Sequence, residues 1–222
     1  TDGKKNSIIN GITDWVYEEE FAFVKAFDWS ADSKKIAFIR FDESEVPEFS
    51  MSIFQKELYP KVETFKYPKA GEKNAVVSLH IYDVASQAKK DVNLGNYSDF
   101  YIARMQWTND ANVLSAQVLN RHQDNLDLLF IDGTTAAAKV VLNEKDKAYI
   151  DVTDNLTFLK DNSFIWTSEK DGFNHIYLYD KTGKLINQVT KGNWEVTNYY
   201  GFDEKTKTIF YQSVENGSIN RD

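Results

Sequence analysis

Apolar and polar residues alternate along the chain in short runs, separated by Gly, Asn, Asp and Ser. A two-residue period of this kind, rich in β-branched and aromatic residues, predicts β-strands joined by hairpin turns. The pattern places strands at Ile36 to Phe41, Val76 to Val84, Val113 to Leu119, Leu126 to Asp132, Ser163 to Ser168, His175 to Asp180, Leu185 to Thr190 and Thr208 to Ser213. No stretch longer than about ten residues keeps a helical period. The runs also repeat. Three of them close on aspartate, at Asp83, Asp132 and Asp180, spaced by 49 and 48 residues. An aromatic precedes each inner hairpin, at Trp29, Trp107, Phe158 and Phe202, spaced by 78, 51 and 44. A period of about 40–50 residues with four strands per unit marks propeller blades. The expectation is an all-β chain, a partial β-propeller of about four blades, with the first and last incomplete.

The long first interval points to an insertion between Phe41 and Val76. All three prolines, Pro47, Pro60 and Pro68, fall there. Proline donates no ladder hydrogen bond, so this segment is expected to leave its blade. Ser52 to Tyr59 and Val62 to Tyr67 are expected to pair as a projecting β-arm within an insertion of about 51–74. Its apolar content (Met51, Ile53, Phe54, Leu58, Tyr59, Val62, Phe65 and Tyr67) is too high for a solvated loop and suits a surface that meets a partner.

Composition narrows the function. Of 222 residues, 42% are hydrophobic and 14% aromatic, enough for a core and in keeping with strands. The net charge of −8 and the scatter of short basic pairs argue against nucleic acid as a partner. There is no cysteine, which excludes disulfides and thiolate metal sites. No apolar run reaches the ~18 residues of a membrane span, so no membrane contact is expected from this segment. The chain opens on TDGKKNS without Met, which suggests a piece cut from a longer protein.

Most candidate chemistry fails on inspection. No serine lies in a G-x-S-x-G elbow, and no glycine loop suits a phosphate, so neither a nucleophile nor a cofactor is expected. The Asp and Asn clusters around Asp110, Asp124, Asp154 and Asp161 lack calcium-loop spacing and read as turns, so no metal is expected. What remains is Glu18-Glu19-Glu20 in Thr13 to Phe21 (TDWVYEEEF). Asp14 or Thr13 would N-cap a short Glu-bearing helix here. Adjacent helical side chains lie about 100° apart, so two of the three carboxylates can lean toward one point. Crowded carboxylates are relieved by a cation between them, and a peptide's α-amino group is one such cation. The alternative is a solvated acidic turn.

The run WVYEEEF, followed by FDWSADSKKIAFIRFDESEVPEFSM, resembles the propeller of the dipeptidyl peptidase IV group in the prolyl oligopeptidase family of serine peptidases. The resemblance continues through Tyr67-Pro68-Lys69-Ala70-Gly71, MQWTNDANVLSAQVLNRHQDNLDLLFID, WTSEKDGFNHIYLYD and Lys191-Gly192-Asn193-Trp194-Glu195-Val196, covering nearly the whole chain. It implies a fragment of an eight-bladed propeller that caps an α/β-hydrolase domain, absent here. The implied enzyme releases dipeptides from peptide N-termini, with Pro or Ala second. By the same resemblance Glu19 and Glu20 bind the substrate's α-ammonium, and Phe21 and Phe23 wall the subsite. The arm, through Phe54, Leu58, Tyr59, Val62 and Phe65, is implied to help form a homodimer. The parent enzyme is implied to be exported to the periplasm or cell surface. Without the nucleophile, the fragment alone is expected to be inactive. The competing expectation is a stand-alone or non-catalytic propeller that serves as a protein-binding scaffold.

Overall fold

A computed structural model of the chain describes residues 2–222. β1 (Ile8–Asn10) and β2 (Phe27–Trp29) are two halves of one strand. Both lie antiparallel to β3 (Lys35–Asp42), β1 opposite Asp42 to Arg40 and β2 opposite Phe38 to Ile36. The halves join at Ile39. Its N–H donates to Ala26 O, and its carbonyl accepts from Gly11 N–H, each at 2.9 Å. Ala26 N–H closes the neck on Gly11 O at 3.0 Å. Gly11 holds φ +74°, a left-handed turn that favours glycine. The intervening residues loop out of the sheet and carry the helix α1 (Trp15–Phe21).

After β3 the chain leaves as an arm, β4 (Glu48–Ile53) paired with β5 (Lys61–Lys66), then returns as β6 (Val76–Asp83) and β7 (Lys89–Asp91). The first sheet runs β1/β2-β3-β6-β7. The second is a plain meander of β8 (Phe100–Trp107), β9 (Val113–Asn120), β10 (Asn125–Asp132) and β11 (Ala138–Lys145). The third is β12 (Thr157–Phe158), β13 (Phe164–Ser168), β14 (His175–Tyr179) and β15 (Leu185–Gln188). A hairpin of β16 (Val196–Asp203) and β17 (Thr208–Ser213) follows. The molecule is a partial propeller: three four-stranded blades and the opening hairpin of a fourth.

The sequence marks have structural meaning. Each repeated aromatic falls near the end of a blade's first strand: Trp29 in β2, Trp107 in β8, Phe158 in β12 and Phe202 in β16. Each closing aspartate caps the turn after the third strand. Asp83 accepts from Ser86 N–H, Asp132 from Thr134 N–H and Asp180 from Thr182 N–H, all at 2.8 Å. Hydrogen bonds within the turns hold the three carboxyls below the usual range: the Ser86 N–H on Asp83, the Thr135 and Thr134 N–H groups on Asp132, and the Thr182 hydroxyl and N–H on Asp180.

Blades pack face to face through one core that includes Ile39 and Leu79 of the first, Leu114 and Leu128 of the second, and Phe164 and Trp166 of the third. Hydrogen bonds stitch the first strands together. Trp107 donates from its backbone to Asp28 Oδ2 at 3.0 Å and from its indole to Asp28 O at 3.1 Å. Asn109 donates to Phe158 O and Leu159 O.

Two expectations require correction. The first blade is complete, because its first strand is present in two pieces. The arm begins at Glu48, before Met51, and its strands are Glu48–Ile53 and Lys61–Lys66 rather than Ser52 to Tyr59 and Val62 to Tyr67. The connecting loop from Phe54 to Pro60 takes up residues assigned to strand, and Pro68 to Asn74 form a loop leading back to β6.

Candidate functional site at helix α1

Asp14 starts the helix. Its backbone is extended and its carboxylate accepts Tyr17 N–H at 3.1 Å, the geometry of an N-cap. Thr13, the other candidate cap, instead donates its hydroxyl to Phe23 O at 3.0 Å and ties the two ends of the excursion together. The helix stops at Ala22, which adopts a left-handed conformation. Burial around Asp14 pushes its carboxyl up to about 6, against the pull of the Tyr17 N–H.

The seven-residue helix is far too short to be stable alone. Tertiary contacts hold it. Tyr17 and Phe21 are 2% and 3% exposed and form one stripe. The Tyr17 ring packs against Phe21, Phe23, Phe41 and Tyr101 at centroid distances of 4.8–5.9 Å. Its hydroxyl accepts Ile102 N–H from β8 at 2.8 Å, so the helix is bonded to the second blade. Trp15 packs against Tyr67 with the ring centroids 4.2 Å apart and the planes tilted by 58°, and Tyr67 in turn meets Phe49 and Phe65 at the root of the arm.

With Tyr17 and Phe21 inward, the helical turn forces the acids outward. At about 100° per residue, Glu19 points away from the buried stripe, with Glu18 and Glu20 on its flanks. All three are exposed. Glu20 Oε1 accepts from Gln123 Nε2 at 2.8 Å, across from the β9–β10 turn. Tyr101 and Tyr149 lie close enough to feel its charge, although burial is the larger influence on each hydroxyl. Acid continues beyond them: Glu169 is pushed upward by burial and by Asp151, Glu195 and Asp146. In the β9–β10 turn, Arg121 donates to Glu72 O at 3.1 Å, pairs with Asp99 at 3.5 Å, and lies over the Tyr101 ring at 6.0 Å.

The structure therefore leaves Glu18, Glu19 and Glu20 exposed on the outward side of α1, with Glu20 held by Gln123. Phe21 lies on the inward side of the helix. It sits in the core against Tyr17 and Tyr101, because it shares the inward stripe, and braces the helix. Phe23 stays partly accessible beneath the Arg104 guanidinium, 5.4 Å from its ring centroid, and Arg104 is held by Asp154. On the arm, Phe54, Leu58 and Tyr59 are 78%, 89% and 80% exposed, and Val62 is exposed beside them. Phe65 is half-buried in the aromatic root. Gln123, Tyr101, Tyr149 and Arg121 were not singled out from sequence. Gln123 stands 103 residues from its partner Glu20, and no local pattern connects them. Among the described residues, no group of three His, Cys, Asp or Glu is disposed to hold a metal ion, and no helix is long and apolar enough to cross a membrane.

The family model for the "Dipeptidyl peptidase IV (DPP IV) N-terminal region" matches residues 1–222. The chain belongs to this family. Among solved structures, the dipeptidyl peptidase 4 of Porphyromonas gingivalis aligns with a TM-score of 0.94 at 46% identity, over 100% of this chain and 32% of that one. Among curated relatives, dipeptidyl peptidase 4 of Trichophyton equinum is 29% identical, over 96% of this chain and 29% of its own length. The protein named inactive dipeptidyl peptidase 10 of Mus musculus is also 29% identical, over 99% of this chain and 29% of its own length. The chain thus spans about a third of the length of the dipeptidyl peptidase IV relatives it matches.

Proposed function

We propose that this chain is the substrate-gating propeller portion of a serine-type dipeptidyl peptidase, in which Glu19 and Glu20 bind the free amino terminus of a peptide. The observation that carries this reading is the construction of α1. A helix too short to stand alone is cast out of a split strand, locked by Tyr17 to the second blade, and left presenting carboxylates with no basic residue in its last turn. Acids toward a helix C-terminus oppose the macrodipole, so the arrangement favours an external cation. An ammonium fixed here, at a set distance from a nucleophile on a separate α/β-hydrolase domain, brings the second peptide bond into reach. Only contacts retained in the transition state raise the rate, and the anchored amine supplies such a contact. The products are Xaa-Pro or Xaa-Ala dipeptides. Phe23 contributes apolar wall, the arm joins two copies of the enzyme, and the enzyme acts outside the cytoplasm, which cell fractionation checks.

The test is a double cycle on the full-length enzyme. Glu19→Gln and Glu20→Gln keep shape and remove charge. A charge-assisted hydrogen bond in a partly desolvated site contributes roughly 1.5–3 kcal/mol, so each change lowers kcat/KM about tenfold to a hundredfold. Glu18→Gln is the control. N-acetylating the substrate cripples turnover by the native enzyme and matters much less once both glutamates are changed. Losses that simply add would sink the proposal.

A second reading, a non-catalytic propeller acting as a binding scaffold, is favoured by the likeness to a relative named inactive. The open reading frame decides between them: a peptidase requires a downstream G-x-S-x-G and a late histidine.

A further inference from the structure

We propose that Gln123 is a positioning residue for amino-terminus recognition, holding the Glu20 carboxylate in its receiving orientation at the expense of local stability. This rests on the reading that Glu20 takes the ammonium.

Gln123 closes the β9–β10 turn with φ +58°, in the left-handed region that disfavours any residue with a Cβ and suits Gly or Asn. Its backbone is pinned there. The N–H donates to Asn120 O at 3.0 Å, and the carbonyl accepts from the N–H of buried Ile150 at 2.9 Å. The turn does not need the glutamine side chain, because Asn120 Oδ1 already accepts from Asp124 N–H at 3.1 Å and Asn125 N–H at 3.0 Å.

The side chain adds a second penalty. A carboxylate only accepts, so the contact with Glu20 fixes the amide with Nε2 toward Oε1. The amide oxygen then faces inward, buried and without a donor among the described residues. An unpaired buried acceptor is unfavourable. Glycine would remove both penalties at once. The one strong contact that asks for glutamine is Glu20.

The chemistry of the contact suits a receiving site. A lysine or arginine at this point would neutralise the carboxylate and compete with an incoming ammonium. A neutral amide orients Glu20, engages Oε1 alone and leaves the negative charge in place.

The experiment uses the full-length enzyme with Gln123→Gly, Gln123→Asn, Glu20→Gln and the double variant Gln123→Gly/Glu20→Gln. Asparagine keeps the backbone preference while its shorter amide falls short of Glu20. The readouts are kcat/KM on a dipeptide anilide with a free amino terminus and the thermal midpoint. Both Gln123 variants are expected to lose about threefold to tenfold in kcat/KM. The midpoint holds or rises with glycine, and Gln123→Gly causes no further loss on top of Glu20→Gln. A midpoint that falls with activity, or losses that add in full, would make Gln123 an ordinary structural residue and overturn the proposal. If Glu20→Gln is impaired while both Gln123 variants remain fully active, this inference fails and the amino-terminus reading stands. If Glu20→Gln is itself without effect, the reading fails and takes the inference with it.

Discussion

Asp14 serves as a helix cap in a place that penalises its charge. The Tyr17 N–H favours the carboxylate, while burial favours the neutral acid and wins, raising the carboxyl from 3.8 to about 6. Between those two values the native state holds a proton that the unfolded chain has released. Stability from this group is therefore fully present below about pH 4 and is lost as pH rises through about 6. The whole span corresponds to about 3 kcal/mol. Asn caps a helix about as well as Asp and carries no charge. Asp14→Asn is expected to stabilise the protein by about 1–3 kcal/mol at pH 7.5 and to change little at about pH 3.5. Thermal unfolding at the two pH values checks this, and equal effects at both would contradict the assigned cause. Glu43, also buried and raised by burial first and Asp14 second, should ionise more easily in that variant.

Among the elements, the arm combines a bound root with an open tip. The root is an aromatic ladder from Phe49, Phe65 and Tyr67 to Trp15 on α1. The tip carries Phe54, Leu58 and Tyr59, nearly bare of contacts. Such apolar exposure is unfavourable unless covered. On the proposal that the arm joins two copies, replacing these three with serine is expected to shift the full-length protein from dimer to monomer in sedimentation velocity, with its melting point nearly unchanged. A dimer that survives all three changes would rule the arm out as the contact. Coverage also bears on which elements could be read from sequence, although the exposed β15 was read from its Leu185 and Ile186. β3, β6, β9, β10, β13 and β14, the inner strands of each blade, carry enough β-branched and aromatic residues to stand out. β8 does not, because Tyr101 and Ala103 are buried as fully as Ile102 between neighbouring blades, and alternation disappears. β7 is an outer strand of three exposed charged residues, Lys89, Lys90 and Asp91, and carries no apolar period. β16 contains Gly201 at a register shift, which breaks its pattern. The helix was legible from its cap and acids, whereas the role of Phe21 was not, since inward and outward faces of seven residues are settled only by what they pack against.

At the scale of the whole molecule, the blades are joined as much by close backbone approach as by side chains. Gly183, in the turn after β14, lies so near the second blade that a Cβ would meet Val141 O at 1.9 Å, and its φ is +88°. Neither the carbonyl nor the turn can yield cheaply. Gly183→Ala is expected to destabilise the protein by at least about 2–4 kcal/mol through separation of the second and third blades. Denaturant unfolding measures it, and a loss under about 0.5 kcal/mol would show that the contact is slack. The split first strand has a different consequence. Its two halves share the single rung at Ile39, so the register of β1 and β2 on β3 does not depend on the length of the excursion between them. The helix thus behaves as a cassette plugged into a socket. New recognition surfaces can be grafted onto its outward face, at Glu18 to Glu20, provided that Tyr17 and Phe21 stay to hold the second blade.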